Sequence, residues 1–270
     1  MVVQHNLTAM NTNRQLGITT NAQAKSTEKL SSGYRINRAG DDAAGLSISE
    51  KMRSQIRGLD KASSNAQDGI SAIQVAEGAL NETHSILQRM NELATQAAND
   101  TNTSTDRTAI DAEMDQLVAE IDRIQSTTQF NTMNLLDGTF TGKKLQVGAL
   151  QGQTIDISIG NMNATTLKVN NLDVTTNAHA GTSMKAIQDA IEEVSTQRSA
   201  LGAVQNRLEH TIANLDTTSE NTSAAESRIR DVDMAKEMVT YSKNNILAQA
   251  GQSMLAQANQ SNQGVLSLLQ

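Results

Sequence analysis

The stretch of sequence that decides the fold runs from Met52 to Ala97 and reads MRSQIRGLDKASSNAQDGISAIQVAEGALNETHSILQRMNELATQA. Every seventh residue in it is apolar, and the residues three places further on are mostly small. Such a heptad repeat predicts a long helix whose paired stripes allow another helix to approach closely. The first series is Met52, Leu59, Ala66, Ile73, Leu80, Leu87 and Ala94, and the second is Gln55, Ala62, Gly69, Ala76, Thr83, Met90 and Ala97.

Two further segments carry helical patterns that can pair with this one. Residues 105–128 repeat apolar side chains at spacings of four and three, and the polar link NDTNTS at 99–104 predicts a turn between antiparallel helices. Residues 182–229 show another seven-residue repeat. The sequence therefore predicts a mainly α fold, an elongated antiparallel helical bundle or coiled coil of N- and C-terminal segments. The stripes are Ile110, Met114, Leu117, Ile121 and Ile124, then Ile187, Val194, Leu201, Leu208, Leu215, Thr222 and Ile229.

The pattern changes between residues 130 and 178. Short β-branched runs at 145–148, 154–160 and 167–169 alternate with turn residues, and glycines that include Gly138, Gly142, Gly152 and Gly160 punctuate them. This alternation predicts a small region of one or two β-hairpins at the tip of the bundle.

Both ends of the chain carry weaker apolar stripes. Neither stripe can bury enough apolar area alone to offset the entropy lost on ordering. We therefore expect the ends to be disordered in a lone monomer and ordered only against each other, other copies or a chaperone. The stripes are Val3, Leu7 and Met10, then Leu247, Gly251, Met254, Ala258, Ser261, Val265 and Leu268.

The net charge of −7 is unevenly distributed. Residues 1–59 are net positive, whereas residues 60–138 are strongly negative. The pattern is compatible with ordinary solvated helix faces, and also with attraction between different copies of the chain. The basic end lacks interleaved aromatic residues and dense Lys/Arg clusters, which argues against a nucleic-acid partner.

No residue pattern points to catalysis, a cofactor or a membrane. The histidines His5, His84, His179 and His210 are scattered without metal-ligand spacing, and there is no cysteine. Adjacent carboxylates such as Asp41 and Asp42 point in different directions on a helix, so they do not form an acid–base pair readily. No apolar run spans about 18 residues, and no secretory signal stands at the start, so we expect neither a membrane span nor a cleaved leader. The sequence thus predicts a structural protein rather than an enzyme.

Several long motifs resemble those of bacterial flagellins. They are LSSGYRINRAGDDAAGL at 30–46, QRMNELA at 88–94, FN at 130–131 with LLDG at 135–138, AESRIRDVDMA at 225–235, QAGQSMLAQAN at 249–259 and VLSLL at 265–269. The resemblance covers about residues 1–140 and 180–270.

The resemblance implies a subunit that polymerises into the flagellar filament. Residues 1–43 and 230–270 would form the paired inner-core helices around a central channel, while 44–180 and 181–229 would form the outer bundle. The short middle region implies a thin, smooth filament without projecting outer domains. The residues expected to mediate polymerisation are Leu7, Met10, Ile246, Met254, Val265 and Leu268.

The family also implies partners and a location. A flagellin lies outside the cell and is exported by the flagellar type III apparatus without a cleaved signal peptide. Its partners would be further copies of itself, an export chaperone at the C-terminal segment, the filament cap and the hook–filament junction proteins. A hook–filament junction protein is the related alternative, and a secreted receptor-binding effector is the alternative from another class.

Flagellins are also ligands of a Toll-like receptor, so the resemblance implies a receptor-binding surface on the bundle helices. Arg89, Leu93 and Glu113 match the central contacts of that surface, and Gln88 and Ile110 match flanking ones. Asn91 and Leu117 depart from the residues often found there. We therefore expect receptor binding and leave the potency of signalling open.

Overall fold

The computed structural model describes residues 6–267, with side chains described through residue 260. The fold is mainly α with two small antiparallel hairpins, as the sequence predicts. The elements are α1 (Leu7–Ser32), α2 (Ala43–Ala97), α3 (Ser104–Thr127), β1 (Gln129–Phe130), β2 (Met133–Asn134), β3 (Lys143–Gln146), β4 (Thr154–Ile157), α4 (Asn177–Arg230) and α5 (Met234–Ser267).

The chain divides into two compact units. Unit 1 combines residues 1–54 with 221–270, and unit 2 comprises residues 55–220. The helices α2 and α4 each contribute to both units. The four-segment division expected from the family resemblance, with its inner-core and bundle segments, stays a prediction.

The heptad stripes form the core of unit 2. Leu80 and Leu87 on α2 and Ile187 and Leu208 on α4 are fully buried, and α3 adds Ile121. Glycine and alanine on the small stripe allow close packing, since a Cβ on Gly69 would lie 2.1 Å from Cδ1 of Leu145. The series fades where unit 2 ends, because Gln55 is exposed and Met52 is only half-buried.

Two hairpins complete this core, in agreement with the sequence prediction. Strand β1 pairs with β2 through a two-residue turn, in which Asn131 and Thr132 both have positive φ angles, 48° and 63°. A turn of this handedness matches the twist of the flanking strands. The longer pair, β3 and β4, buries Ile155 and Ile157 against the helices.

The run at 167–169 is not a strand. Val169 N donates to Ala164 O over 2.9 Å and Leu167 N donates to Asn163 O over 3.0 Å, which closes a local turn. Lys168 takes a positive φ of 58°. Leu167 and Val169 are nevertheless buried in the core. Their apolar character therefore reflects burial within a turn and not a position in a sheet.

The connection between α2 and α3 is fixed by side chains at both helix ends. The Thr103 hydroxyl accepts a 3.3 Å hydrogen bond from Asp106 N, and the Asp106 carboxylate accepts a 2.9 Å bond from Thr103 N, which forms a capping box at the start of α3. The Arg107 guanidinium donates to the carbonyls of Ala97 and Asn99 at the end of α2. A cation at a helix C-terminus also complements the helix dipole.

In unit 1, α1 and α5 pack against each other. The N-cap of α1 is Asn6, whose side chain accepts a 3.0 Å hydrogen bond from Ala9 N. Gly33 ends the helix with a φ of 75°, and its N–H donates to Lys29 O. Each terminal helix is the other's partner here, while disorder in a lone monomer stays a prediction.

Candidate assembly and contact surfaces

The interface between α1 and α5 contains small residues. Ala248 and Ala258 are buried in it, and Gly251 lies opposite Leu16, whose Cδ1 would be 3.3 Å from an added Cβ. At one end, Asn6 Nδ2 donates a 3.0 Å hydrogen bond to Ala258 O. Small residues at these positions allow the two helices to approach closely, while several larger apolar side chains of α1 and α5 are left outside the contact.

Those larger side chains are exposed. Of the predicted polymerisation residues, Leu7 is 68% exposed, Ile246 is 67% exposed, and Met10 and Met254 are similarly open. Val265 lies in α5 beyond the described side chains, and Leu268 lies outside the described residues. Sequence reasoning missed further exposed apolar residues on the same two helices, because they do not continue a regular stripe. They are Ile18, Met234, Met238 and Val239. Leu247, which belongs to the predicted C-terminal stripe, is also exposed.

A groove of about 690 Å³ runs between α1 and α5. Its apolar lining comes from Leu7 and Leu16 on α1 and from Leu247 and Met254 on α5, and threonine, asparagine and glutamine residues of α1 also line it. A partly apolar groove on exposed helices is suited to binding the apolar face of another helix.

The two chain segments that follow α1 and α4 are joined by a short bridge within unit 1. Tyr34 pairs with Asp231 in an antiparallel β-bridge, and Arg35 N donates a 2.7 Å hydrogen bond to Arg230 O. The Arg230 guanidinium lies over the Tyr34 ring, 4.6 Å from its centroid. Such cation–π contacts are attractive. The motif residues at 34–35 and 230–231 therefore hold two distant parts of the sequence together.

A second surface lies on α2 and α3 of unit 2. Arg89 Nη2 lies 3.0 Å from Glu113 Oε1, and Arg89 Nη1 lies 3.2 Å from Glu92 Oε2. Hydrogen bonds from Arg89 to Glu113, and then to Glu92, raise the pKa of Arg89 above its usual value. All three side chains are largely exposed. The surface thus presents a fixed cation between two carboxylates.

The other predicted receptor contacts divide by burial. Gln88 is exposed beside Arg89, and its Nε2 lies 3.0 Å from His84 Nε2. Leu93 is 2% exposed and Ile110 is 7% exposed, because both pack into the helix interface beneath the charged residues. In this structure they support the surface and do not form it. Sequence matching could not distinguish these two roles.

The described residues show no arrangement suited to metal or membrane chemistry. Between residues 6 and 267, no group of three or more histidine and acidic side chains is placed to hold a metal ion. His179 pairs with one carboxylate, Asp173, over 2.5 Å. Over the same range, no helix combines the length and apolarity needed to cross a bilayer.

Comparison with known proteins assigns the family. Residues 3–141 match the family model of the bacterial flagellin N-terminal helical region, and residues 184–269 match that of the C-terminal helical region. The chain is 58% identical over 271 residues to a flagellin of Halalkalibacterium halodurans, with all of both chains covered. It is 51% identical over 286 residues to the flagellar filament 31.3 kDa core protein of Treponema maltophilum, again with full coverage. The crystal structure of Bacillus cereus flagellin aligns with a TM-score of 0.52 and 32% identity, covering 60% of this chain and 94% of that one. The matches of both terminal helical regions to the family models, together with 58% identity over the full length of a flagellin, show that the chain belongs to the bacterial flagellin family.

Proposed function

We propose that this chain is the structural subunit of a flagellar filament and that it polymerises by burying the exposed apolar residues of α1 and α5 against other copies. The observation that carries the proposal is the exposure of large apolar side chains along both terminal helices. A relative at 51% identity is named as a filament core protein. Large exposed apolar surface on a helix pair is typical of an interaction site.

Burial of apolar surface favours assembly of subunits over an isolated pair of terminal helices, α1 and α5. Burying one Leu, Ile or Met side chain fully contributes about 1.5–3 kcal/mol. Leu7, Met10, Ile246 and Met254 gain only a minor part of this while they remain mostly open to water. Part of the gain offsets the cost of association and of ordering the helices, and only the surplus stabilises a polymer.

Unit 2 has the opposite character and would enter the polymer already folded. Its stripes on α2, α3 and α4 are buried within one chain, and both hairpins pack on them. Unit 1 would therefore form the contacts with other subunits, and unit 2 would be the part of each subunit that is already folded. Residues 1–43 and 230–270 would then form the inner core, as the family resemblance implies.

Electron microscopy with seeds tests this proposal. Purified protein is imaged by negative stain before and after adding short filament fragments, and long uniform filaments that dissociate on heating are expected. A field of monomers that never elongate from seeds would contradict the proposal. In that case a hook–filament junction protein or a secreted effector becomes the better assignment.

Removing residues 251–270 separates these alternatives further. This segment contains Met254 and the end of α5. A filament subunit without it loses elongation, whereas a receptor-binding effector that uses only unit 2 keeps its activity.

The same C-terminal helix offers the apolar face that an export chaperone would cover before release through the type III apparatus. The remaining expected partners, the cap and the hook–filament junction proteins, would meet the ends of the extracellular polymer.

A second function, binding to a Toll-like receptor, is favoured by the charged surface on α2 and α3. Arg89 is held by Glu113 and Glu92 in a fixed position and stays about half exposed, which suits a partner that offers both charge and hydrogen bonds. Binding of the Arg89→Ala monomer to the receptor ectodomain tests this function. The matched control is Arg123→Ala, since Arg123 is likewise exposed and paired with a carboxylate, that of Glu120. Equal affinity of Arg89→Ala and wild type would contradict receptor binding by this surface.

A further inference from the structure

The methionines of the terminal helices and those of the helical core of unit 2 differ sharply in exposure. On the terminal helices of unit 1, Met10 is 65% exposed and Met254 is 61% exposed, and Met234 and Met238 are also open. In unit 2, Met90 and Met114 are buried. The chain has eleven methionines and no cysteine, so its sulfur chemistry is that of thioethers alone.

This distribution has a chemical consequence. A peroxide transfers one oxygen atom to the thioether sulfur, which is oxidised by two electrons to a sulfoxide, while hydrogen peroxide is reduced to water. The reaction follows exposure of the sulfur, and it turns a flexible apolar side chain into a polar one. Oxidation would therefore reach unit 1 and spare the core of unit 2.

We infer that Met10 and Met254 are oxidation sites through which peroxide controls polymerisation. The inference rests on the proposed filament function, because it places both thioethers on the surface that other copies cover. A sulfoxide there introduces a strong hydrogen-bond acceptor that an apolar contact cannot satisfy. Oxidised monomers would fold normally yet fail to add to a filament. A reductase that uses a two-electron thiol donor would restore them.

Limited treatment of monomers with hydrogen peroxide, followed by peptide mass spectrometry and seeded elongation, tests this inference. We expect sulfoxide at Met10 and Met254, none at Met90 or Met114, and an elongation rate reduced at least fivefold, with unchanged helical circular dichroism. Sulfoxide spread equally over exposed and buried methionines would overturn the inference. So would full oxidation of Met10 and Met254 with elongation unaffected.

Isosteric variants identify the residues responsible. For the Met10→Leu/Met254→Leu double variant, elongation is compared before and after peroxide, and the treated rate is expected to stay within about twofold of that variant's own untreated rate. The matched control is Met133→Leu, which removes an exposed methionine of the β1–β2 hairpin and should stay as sensitive as wild type. Peroxide sensitivity that persists in the double variant overturns the assignment to these two sites.

The filament proposal and this inference fail in different ways. If untreated protein does not elongate from seeds, the proposed function fails, although the pattern of sulfoxides in monomers remains measurable. If untreated protein elongates and oxidised protein does so equally well, only the inference fails.

A third measurement uses assembled filaments, in which Met10 and Met254 should be protected from oxidation. Equal oxidation in filaments and monomers would show that other copies do not cover these thioethers.

Discussion

Ser63 on α2 donates a 3.1 Å hydrogen bond to the carboxylate of Asp216 on α4. The bond has a counterpart in the reverse direction, because Ser219 on α4 donates a 2.8 Å bond to Asp60 on α2. In each helix the serine follows the aspartate by three residues, so the antiparallel pair carries two reciprocal bonds. These bonds lie where the apolar stripe of unit 2 ends and therefore fix the register of α2 against α4.

Replacing Ser63 with alanine should destabilise this register. Hydrogen bonds to charged groups contribute about 1.5–3 kcal/mol, and exposure of the charged partner to water lowers this contribution. Ser63 is buried but Asp216 is exposed, so we expect a loss of about 1 kcal/mol in the free energy of unfolding. Urea unfolding followed by circular dichroism measures it. Ser64→Ala is the control, since Ser64 is exposed and bonds only to the carbonyl of Asp60 in its own helix. Equal midpoints for the two variants would contradict a role for the Ser63–Asp216 bond.

Two glycines on α2 should respond to alanine in opposite directions. Gly78 is exposed in the middle of the helix with no heavy atom within 4 Å of an added Cβ, so Gly78→Ala should stabilise the protein by about 0.5–1 kcal/mol. At Gly69 an added Cβ would lie 2.1 Å from the Leu145 side chain of the hairpin. Gly69→Ala should therefore displace Leu145 and lower the thermal unfolding temperature despite the same gain in helix propensity. A rise in that temperature for both variants would show that the hairpin gives way at little cost.

The helices could be predicted from the sequence because their period is long and regular. Within unit 2, the series through Leu80 on α2 and through Leu201 on α4 is buried as predicted, since a heptad specifies which face meets another helix. The position of the hairpins followed from glycines and β-branched runs. The turn at Asn131–Thr132 did not, because its positive φ angles follow from pairing of the flanking strands and not from a glycine.

The contact surfaces were harder to predict from the sequence than the helices were. Composition cannot distinguish an apolar residue that is buried in its own chain from one that is left open for another copy. Leu93 and Val239 are both apolar and helical, yet the first is buried and the second is 71% exposed. That difference depends on which helices pack together, which is a property of the tertiary structure. Local turns present the same problem, as the buried Val169 shows.

Acid should weaken the start of α3 through its capping box. Hydrogen bonds from the Thr103 hydroxyl, and then from the Thr103 N–H, hold the pKa of Asp106 below its usual value of 3.8. A lowered folded-state pKa means that the carboxylate contributes stability above the usual value and loses it as the pH falls through the folded value. Between pH 6 and pH 3, the urea midpoint of Asp106→Asn should therefore fall less than that of wild type. The exposed Asp115 of the same helix provides the control variant Asp115→Asn, and a parallel fall in all three proteins would contradict the prediction.

Reversing the charges of Arg89 and Glu113 should separate pairing from recognition. Arg89→Glu alone places a carboxylate beside Glu113 and Glu92, and Glu113→Arg alone places two guanidinium groups together, so each variant loses the ion pair. The double variant Arg89→Glu/Glu113→Arg restores an oppositely charged pair between α2 and α3. If the receptor reads the charges themselves, the double variant stays at least tenfold weaker than wild type in ectodomain binding. Recovery of affinity in the double variant would show that the pair acts only by holding the two helices together.

A charge at Ile246 should abolish polymerisation without unfolding the chain. Ile246 is 67% exposed on α5, so a carboxylate there stays hydrated in the monomer and costs little. Against another copy the same carboxylate would lose its water without gaining a partner. We therefore expect Ile246→Glu monomers with wild-type helical circular dichroism and a critical concentration for elongation raised at least tenfold, measured by sedimentation after seeding. Gln252→Glu adds the same charge to a polar position of α5, and its critical concentration should lie within about twofold of the wild-type value. If Ile246→Glu elongates as well as this control, the apolar residues of α5 do not drive assembly.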